Sequence, residues 1–107
     1  MTDAEAFSGQ MGDLQKLRVT LVILLSQENS KLLSRRQRVA GKEIEVMCAE
    51  RDLEQGGPTE ANQSALDALY LQDTEVRRLL AETEQEIERL EALMARVDVD
   101  IAALCQS

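Results

Sequence analysis

The chain has 107 residues, a net charge of −8 and 44% hydrophobic residues, among which Phe7 and Tyr70 are the only aromatics. That length holds one domain, and the shortage of aromatic bulk suits thin aliphatic helical seams better than a globular core. The acidic balance opposes nucleic acid, where Lys and Arg must neutralise phosphates, and it opposes anionic membrane surfaces as well.

Residues 1–10 read as a polar leader, with Asp3 to Phe7 making a helical turn or two before Ser8-Gly9 breaks it. Asp3 and Glu5 stand where a signal or transit peptide would be basic. Residues 11–55 are predicted to form a first long helix. Its longest apolar run, Val19 to Leu25, contains Thr20 and is too short to cross a bilayer. Leu14, Leu17, Leu21 and Leu24 open an apolar seam. After a stutter the seam continues as Leu25, Leu32, Val39, Val46 and Leu53, seven apart, with Leu33, Ala40 and Met47 beside them. The alternate core positions in that register are Asn29, Arg36, Glu43 and Glu50, all polar. Half a seam buries itself poorly against one helix, so a third helical segment or another protein is expected to cover it. Gly41, in the middle of this polar stretch, marks a bend or a close approach, since glycine costs roughly 1 kcal/mol against alanine inside a helix.

Gly56-Gly57-Pro58 is the only Gly/Pro cluster and marks the turn of residues 56–59. Thr59 is placed to cap the second helix, and Glu60 sits where a helix N-terminus favours negative charge. Residues 60–105 form the second long helical region. Leu66, Leu69, Val76, Leu80, Ile87, Leu90, Met94, Val97, Ile101 and Leu104 keep one alternating three–four register, interrupted only by Asp73 and Thr83. A strict seven-residue repeat of this kind shows a narrow apolar seam to a partner helix and supercoils left-handedly. The region is either continuous or broken near Asp73 or Arg96. The short turn makes the two long helices antiparallel, with paired residue numbers adding to about 117.

Charge is uneven along the chain. Residues 29–42 hold Lys31, Arg35, Arg36, Arg38 and Lys42 and no acid, whereas Glu82 to Glu91 hold five acids against Arg89. In the antiparallel register these stretches lie alongside one another. They either satisfy each other and fix register, or the basic stretch is a patch for an acidic partner. Tyr70 and Leu71 lie just off the seam near the turn, as a partner contact or as the bed for a third segment.

Little supports catalysis. The chain contains no histidine, the usual general base and zinc ligand. Cys48 and Cys105 make no disulfide framework, and the register sets them near opposite ends of a hairpin, beyond the span of a bridge. A catalytic carboxylate needs burial to raise its pKa, and only Asp73 falls on the seam. There it is expected to specify register or to mark a helix break. The expected class is a non-catalytic intracellular protein with no cofactor and no metal.

The order of these features resembles the tubulin-binding cofactor A family, small helical chaperones of β-tubulin. The resemblance covers nearly the whole chain: a long charged helix from Leu14 to Leu53, the acidic run Glu50-Arg51-Asp52-Leu53-Glu54-Gln55 into Gly56-Gly57, and a second helix containing Asp73-Thr74-Glu75-Val76-Arg77-Arg78-Leu79. The family often has a proline near the position of Asp73-Thr74, where this chain has none. The resemblance implies an all-α fold, an elongated antiparallel left-handed three-helix bundle, coiled-coil-like and dominated by two long helices. It also implies a cytoplasmic, cytoskeleton-associated protein that captures β-tubulin and hands it on toward αβ-tubulin heterodimer assembly, alongside other tubulin-folding cofactors. On that reading Lys31, Arg35, Arg36, Arg38, Lys42 and Tyr70 are the partner-binding residues. The alternative is a non-catalytic coiled-coil scaffold or an export-chaperone-type subunit of a larger complex. Monomer and homodimer are both compatible with the sequence.

Overall fold

The fold was taken from a computed structural model, which describes residues 2–106. It consists of two helices, α1 (Asp3–Gly56, 54 residues) and α2 (Glu60–Gln106, 47 residues). Among the described residues there is no third helix and no strand.

Of the leader expected at residues 1–10, residues 3–10 are helix instead, and residue 1 lies outside the described residues. Thr2 Oγ1 accepts from the Glu5 N–H at 3.2 Å, while Glu5 Oε2 accepts from the Thr2 N–H at 3.0 Å. This reciprocal capping box satisfies two of the first turn's orphan donors. Gly9 and Gly12 cost only about 1 kcal/mol each inside a helix, too little to break one so anchored. Gly41 likewise sits within unbroken helix, and no atom lies within 4 Å of where its side chain would begin. It marks no close approach to another part of the chain among the described residues.

Between the helices, Gly57 takes a φ of +84°, the left-handed conformation that ends α1. Thr59 then caps α2, its Oγ1 accepting from the Asn62 N–H at 3.1 Å. From there α2 runs without interruption past both Asp73 and Arg96. It contains no proline or glycine, so nothing in its backbone separates a third helix from the second.

Both helices contribute to two compact units. Unit 1 is formed by the described residues of Met1–Asn29 and Gln85–Ser107, and unit 2 by Ser30–Glu84. In unit 1, Leu21, Leu90 and Val97 are buried together, with Leu14, Leu25, Met94 and Ile101 packed against them. Leu90 is 1% exposed. Arg18 Nε donates to Asp98 Oδ1 at 2.8 Å, an exposed bridge between the antiparallel helices.

Unit 2 is built differently. Val39, Leu66 and Val76 are buried, but polar side chains separate them along the seam. Arg35 Nη1 donates to the Leu79 carbonyl at 3.0 Å and also to the Thr83 hydroxyl, and Thr83 donates back to the same carbonyl at 3.0 Å. Thr83 is 1% exposed, and these bonds give its hydroxyl partners in the seam. Lys42 Nζ donates to Gln72 Oε1 at 2.8 Å, and Tyr70 Oη donates to Glu50 Oε1 at 3.2 Å. All of these pairs keep the antiparallel register expected from the turn.

Leu14 and Leu21 and the seven-apart set Leu25, Leu32, Val39, Val46 and Leu53 turn inward as expected, but the alternate positions of the seam on α1 differ from the expected ones. The residues turned inward are Leu14, Leu21, Leu25 and Glu28 in unit 1, and Leu32, Arg35, Val39, Lys42, Val46, Ala49 and Leu53 in unit 2. No stutter is needed, because three–four spacing runs on through these positions. Leu17, Leu24, Leu33, Ala40 and Met47 are exposed, as are Asn29, Arg36, Glu43 and Glu50. Arginine and lysine hold inward positions because their aliphatic stems lie along the seam while their charged heads reach polar groups at its edge.

Candidate partner-binding surfaces

The basic stretch of α1 separates into two sets. Arg35 and Lys42 are half-buried and engaged with α2 or, for Lys42, also with Glu45 at 2.8 Å on its own helix. Arg36 and Arg38 are exposed and have no ion-pair partner among the described residues. Lys31 is exposed as well, but it is engaged within the chain. The six side chains expected to meet a partner are therefore not one patch. Arg36 and Arg38 present free charge, and Arg35 and Lys42 serve the seam.

Glu82 pairs with Arg78 and Glu86 with Arg89, each on the same helix. Pairs three or four residues apart on one helix are close neighbours on its surface. Ion pairs that bridge the helices include Arg18–Asp98 in unit 1 and Arg77–Glu43 in unit 2, at 2.8 and 2.7 Å. Arg77 also holds Asp73 Oδ2 at 2.9 Å. Hydrogen bonding to Asp73, then to Glu43, keeps its guanidinium above the ordinary arginine pKa. Asp73 Oδ1 is buried and has no hydrogen-bond partner among the described residues. Asp73 thus sits on the seam of a continuous helix, tied down through one oxygen only.

Tyr70 is exposed, and its hydroxyl is committed to Glu50. Partial desolvation, and then that carboxylate, raise the phenol above its ordinary pKa. Leu71 beside it is 75% exposed.

A further apolar surface lies in unit 1. Leu17, Val19, Val22, Ile23 and Leu24 are 39–60% exposed on successive turns of α1. From Leu17 to Gln27 only Arg18 carries charge. Open grooves flank Val19, one lined by Gly12, Gln15 and Lys16, the other by Arg18, Val22 and Ile23. The signal was present in the sequence: Val19 to Leu25 is apolar on every side of the helix but for Thr20, whereas one partner helix covers only one side.

Cys48 and Cys105 are both free and exposed. Among the described residues no group of His, Cys, Asp and Glu side chains is placed to hold a metal ion, and no helix is long and apolar enough to cross a membrane. Comparison with protein-family models, with curated proteins and with solved structures gives no match to the chain.

Proposed function

We propose that the protein is a non-catalytic holding protein, in which unit 1 presents the outer apolar surface of α1 to cover apolar surface on another protein. The observation that carries this reading is the group Leu17, Val19, Val22, Ile23 and Leu24, large apolar side chains left 39–60% exposed with almost no charge among them. Val19, Val22 and Ile23 stand at three–four spacing on one side of α1, and clustered exposed apolar surface on a protein marks a site of contact. The binding free energy comes from burying these side chains, while Arg36 and Arg38 steer encounter with an acidic partner. A Debye length of about 8 Å lets such local charge act despite the acidic total.

β-Tubulin is the client that the family resemblance supplies, with delivery toward the αβ heterodimer in the cytoplasm and in company with other tubulin-folding cofactors. On this reading the client supplies the third helix that completes a left-handed three-helix bundle with α1 and α2. A second reading, an export-chaperone-type or scaffold subunit of a larger complex, is favoured by the two-helix form, since α2 is continuous where the cofactor reading expects a third helix.

Binding of purified β-tubulin to the full chain, compared with Val19→Glu and Ile23→Glu, tests both. Capture that these variants abolish without change in melting supports the first reading. No capture of β-tubulin removes it and leaves the second. Capture untouched by either variant places the contact away from this surface.

A further inference from the structure

Unit 2 carries a second seam on the outside of α1. Ser30, Leu33, Gln37, Ala40, Ile44 and Met47 keep an alternating three–four register, none is charged, and all are exposed. Leu33, Ile44 and Met47 are 62–63% exposed. At 100° per residue this stripe lies roughly 150° round α1 from the side that faces α2. A heptad stripe of this form is the face that a coiled coil presents to another helix.

The flanks identify the helix. Arg36 and Glu43 border one side of the stripe, and Ser34 and Gly41 border the other. When two copies of the stripe run antiparallel about a two-fold axis, with Gln37 beside Ala40 of the second copy, Leu33 falls beside its Ile44 and Ser30 beside its Met47. Arg36 of each copy then faces Glu43 of the other, so both ion pairs form at once. Arg36 has no ion-pair partner among the described residues of its own chain, and the Glu43 side chain is 53% exposed beside Arg77. On the opposite flank Ser34 meets Gly41, where no atom stands within 4 Å of a would-be side chain, so the backbones can approach closely. A parallel arrangement brings Arg36 beside Gly41 and forms neither ion pair. We infer that residues 30–47 of α1 are a self-association surface, taking a second copy of this chain in antiparallel register.

Sedimentation equilibrium of the full chain over the micromolar range tests this. A concentration-dependent dimer is expected, with Leu33→Glu and Ile44→Glu each raising its dissociation constant by about tenfold or more, and with helicity and melting in dilute solution unchanged. Arg36→Glu, which sets like charges together, weakens association less, and added salt narrows its difference from the natural chain. Register is read by disulfide trapping in a background with Cys48→Ser and Cys105→Ser. Copies with Gln37→Cys are expected to cross-link to copies with Ala40→Cys faster than either does to itself, because only the antiparallel layer brings those α-carbons within about 7 Å. A chain that stays monomeric at the highest concentration overturns the inference. So does a dimer indifferent to both Glu variants, or self-trapping of each cysteine copy in preference to the mixture.

Discussion

Units 1 and 2 are made from the same two helices, yet their seams differ in kind. In unit 1 the seam is aliphatic, with Leu21, Leu90 and Val97 shielding one another from water. In unit 2 the buried Val39, Leu66 and Val76 alternate with Arg35, Lys42, Asp73 and Thr83. Apolar burial is non-directional and strong, so an aliphatic seam holds helices together but specifies register weakly. Hydrogen-bonded polar layers contribute less stability and more specificity, as polar core positions do in coiled coils. The division gives each unit a distinct task. Unit 1 is a firm platform that leaves apolar surface outside, and unit 2 fixes which residue of α1 meets which residue of α2.

The sharpest way to break this comparison is to make the same deletion in both units. Leu90→Ala, in the aliphatic core, is expected to cost about 2–5 kcal/mol. Leu66→Ala, buried in unit 2 where polar side chains interrupt the seam, should fall at or below the low end of that range. Denaturant midpoints followed by circular dichroism measure both, and equal costs would remove the distinction between the seams.

Next in size is the Arg35 layer. Arg35→Ala removes donors to Leu79 and Thr83 and should cost about 1–2 kcal/mol. The double change Arg35→Leu with Thr83→Val replaces both partners by apolar groups and should be neutral or stabilising, turning this part of unit 2 into a copy of the unit 1 seam. If the double variant is no more stable than Arg35→Ala, the layer matters for stability as well as for register.

Asp73→Leu comes third. It loses a half-exposed ion pair to Arg77, which is worth little, and it removes the buried, unpartnered Oδ1. A gain of about 1 kcal/mol is expected, since a buried unsatisfied acceptor costs about that or more. A clear loss would show that Asp73 stabilises α2 in some way beyond its pair with Arg77.

The smallest effect is electrostatic. The Arg78 hydrogen bond holds the Glu75 carboxyl below its ordinary pKa. A depressed carboxylate stabilises the fold above its unfolded pKa, and that contribution is lost as pH falls through the depressed value. Glu75 is solvent-exposed, so the effect is slight. Arg78→Ala should flatten the acid limb of the stability profile a little, and a steeper limb would contradict the assignment.

Much of α2 is legible in the sequence. Every position of its register from Leu66 to Leu104, Asp73 and Thr83 included, is buried or half-buried, because a dominant seven-residue apolar repeat leaves a helix one way to face its partner. α1 is harder to read for a physical reason. Its apolar residues surround the helix between Val19 and Leu25, and further along Leu33, Ala40, Ile44 and Met47 compete with Leu32, Val39 and Val46 for the seam. Hydrophobicity alone does not choose between these stripes. The choice turns on whether Arg35 and Lys42 can lie inward, and that depends on Thr83, Leu79 and Gln72, which are distant in sequence. The Thr2–Glu5 capping box is visible in the residues, and it outweighs the break that Ser8-Gly9 suggests. The basic stretch is visible as composition, whereas its division into engaged and free cations needs the register of α1.

Native-state hydrogen exchange tests the contrast between the two seams most directly, in solution dilute enough to keep the chain monomeric. Local opening is easiest where few apolar contacts must be broken. Amides of residues 14–28 and 87–101 should therefore exchange more slowly than those of residues 35–49 and 69–83. Uniform protection along both helices, or slower exchange in unit 2, would contradict the account.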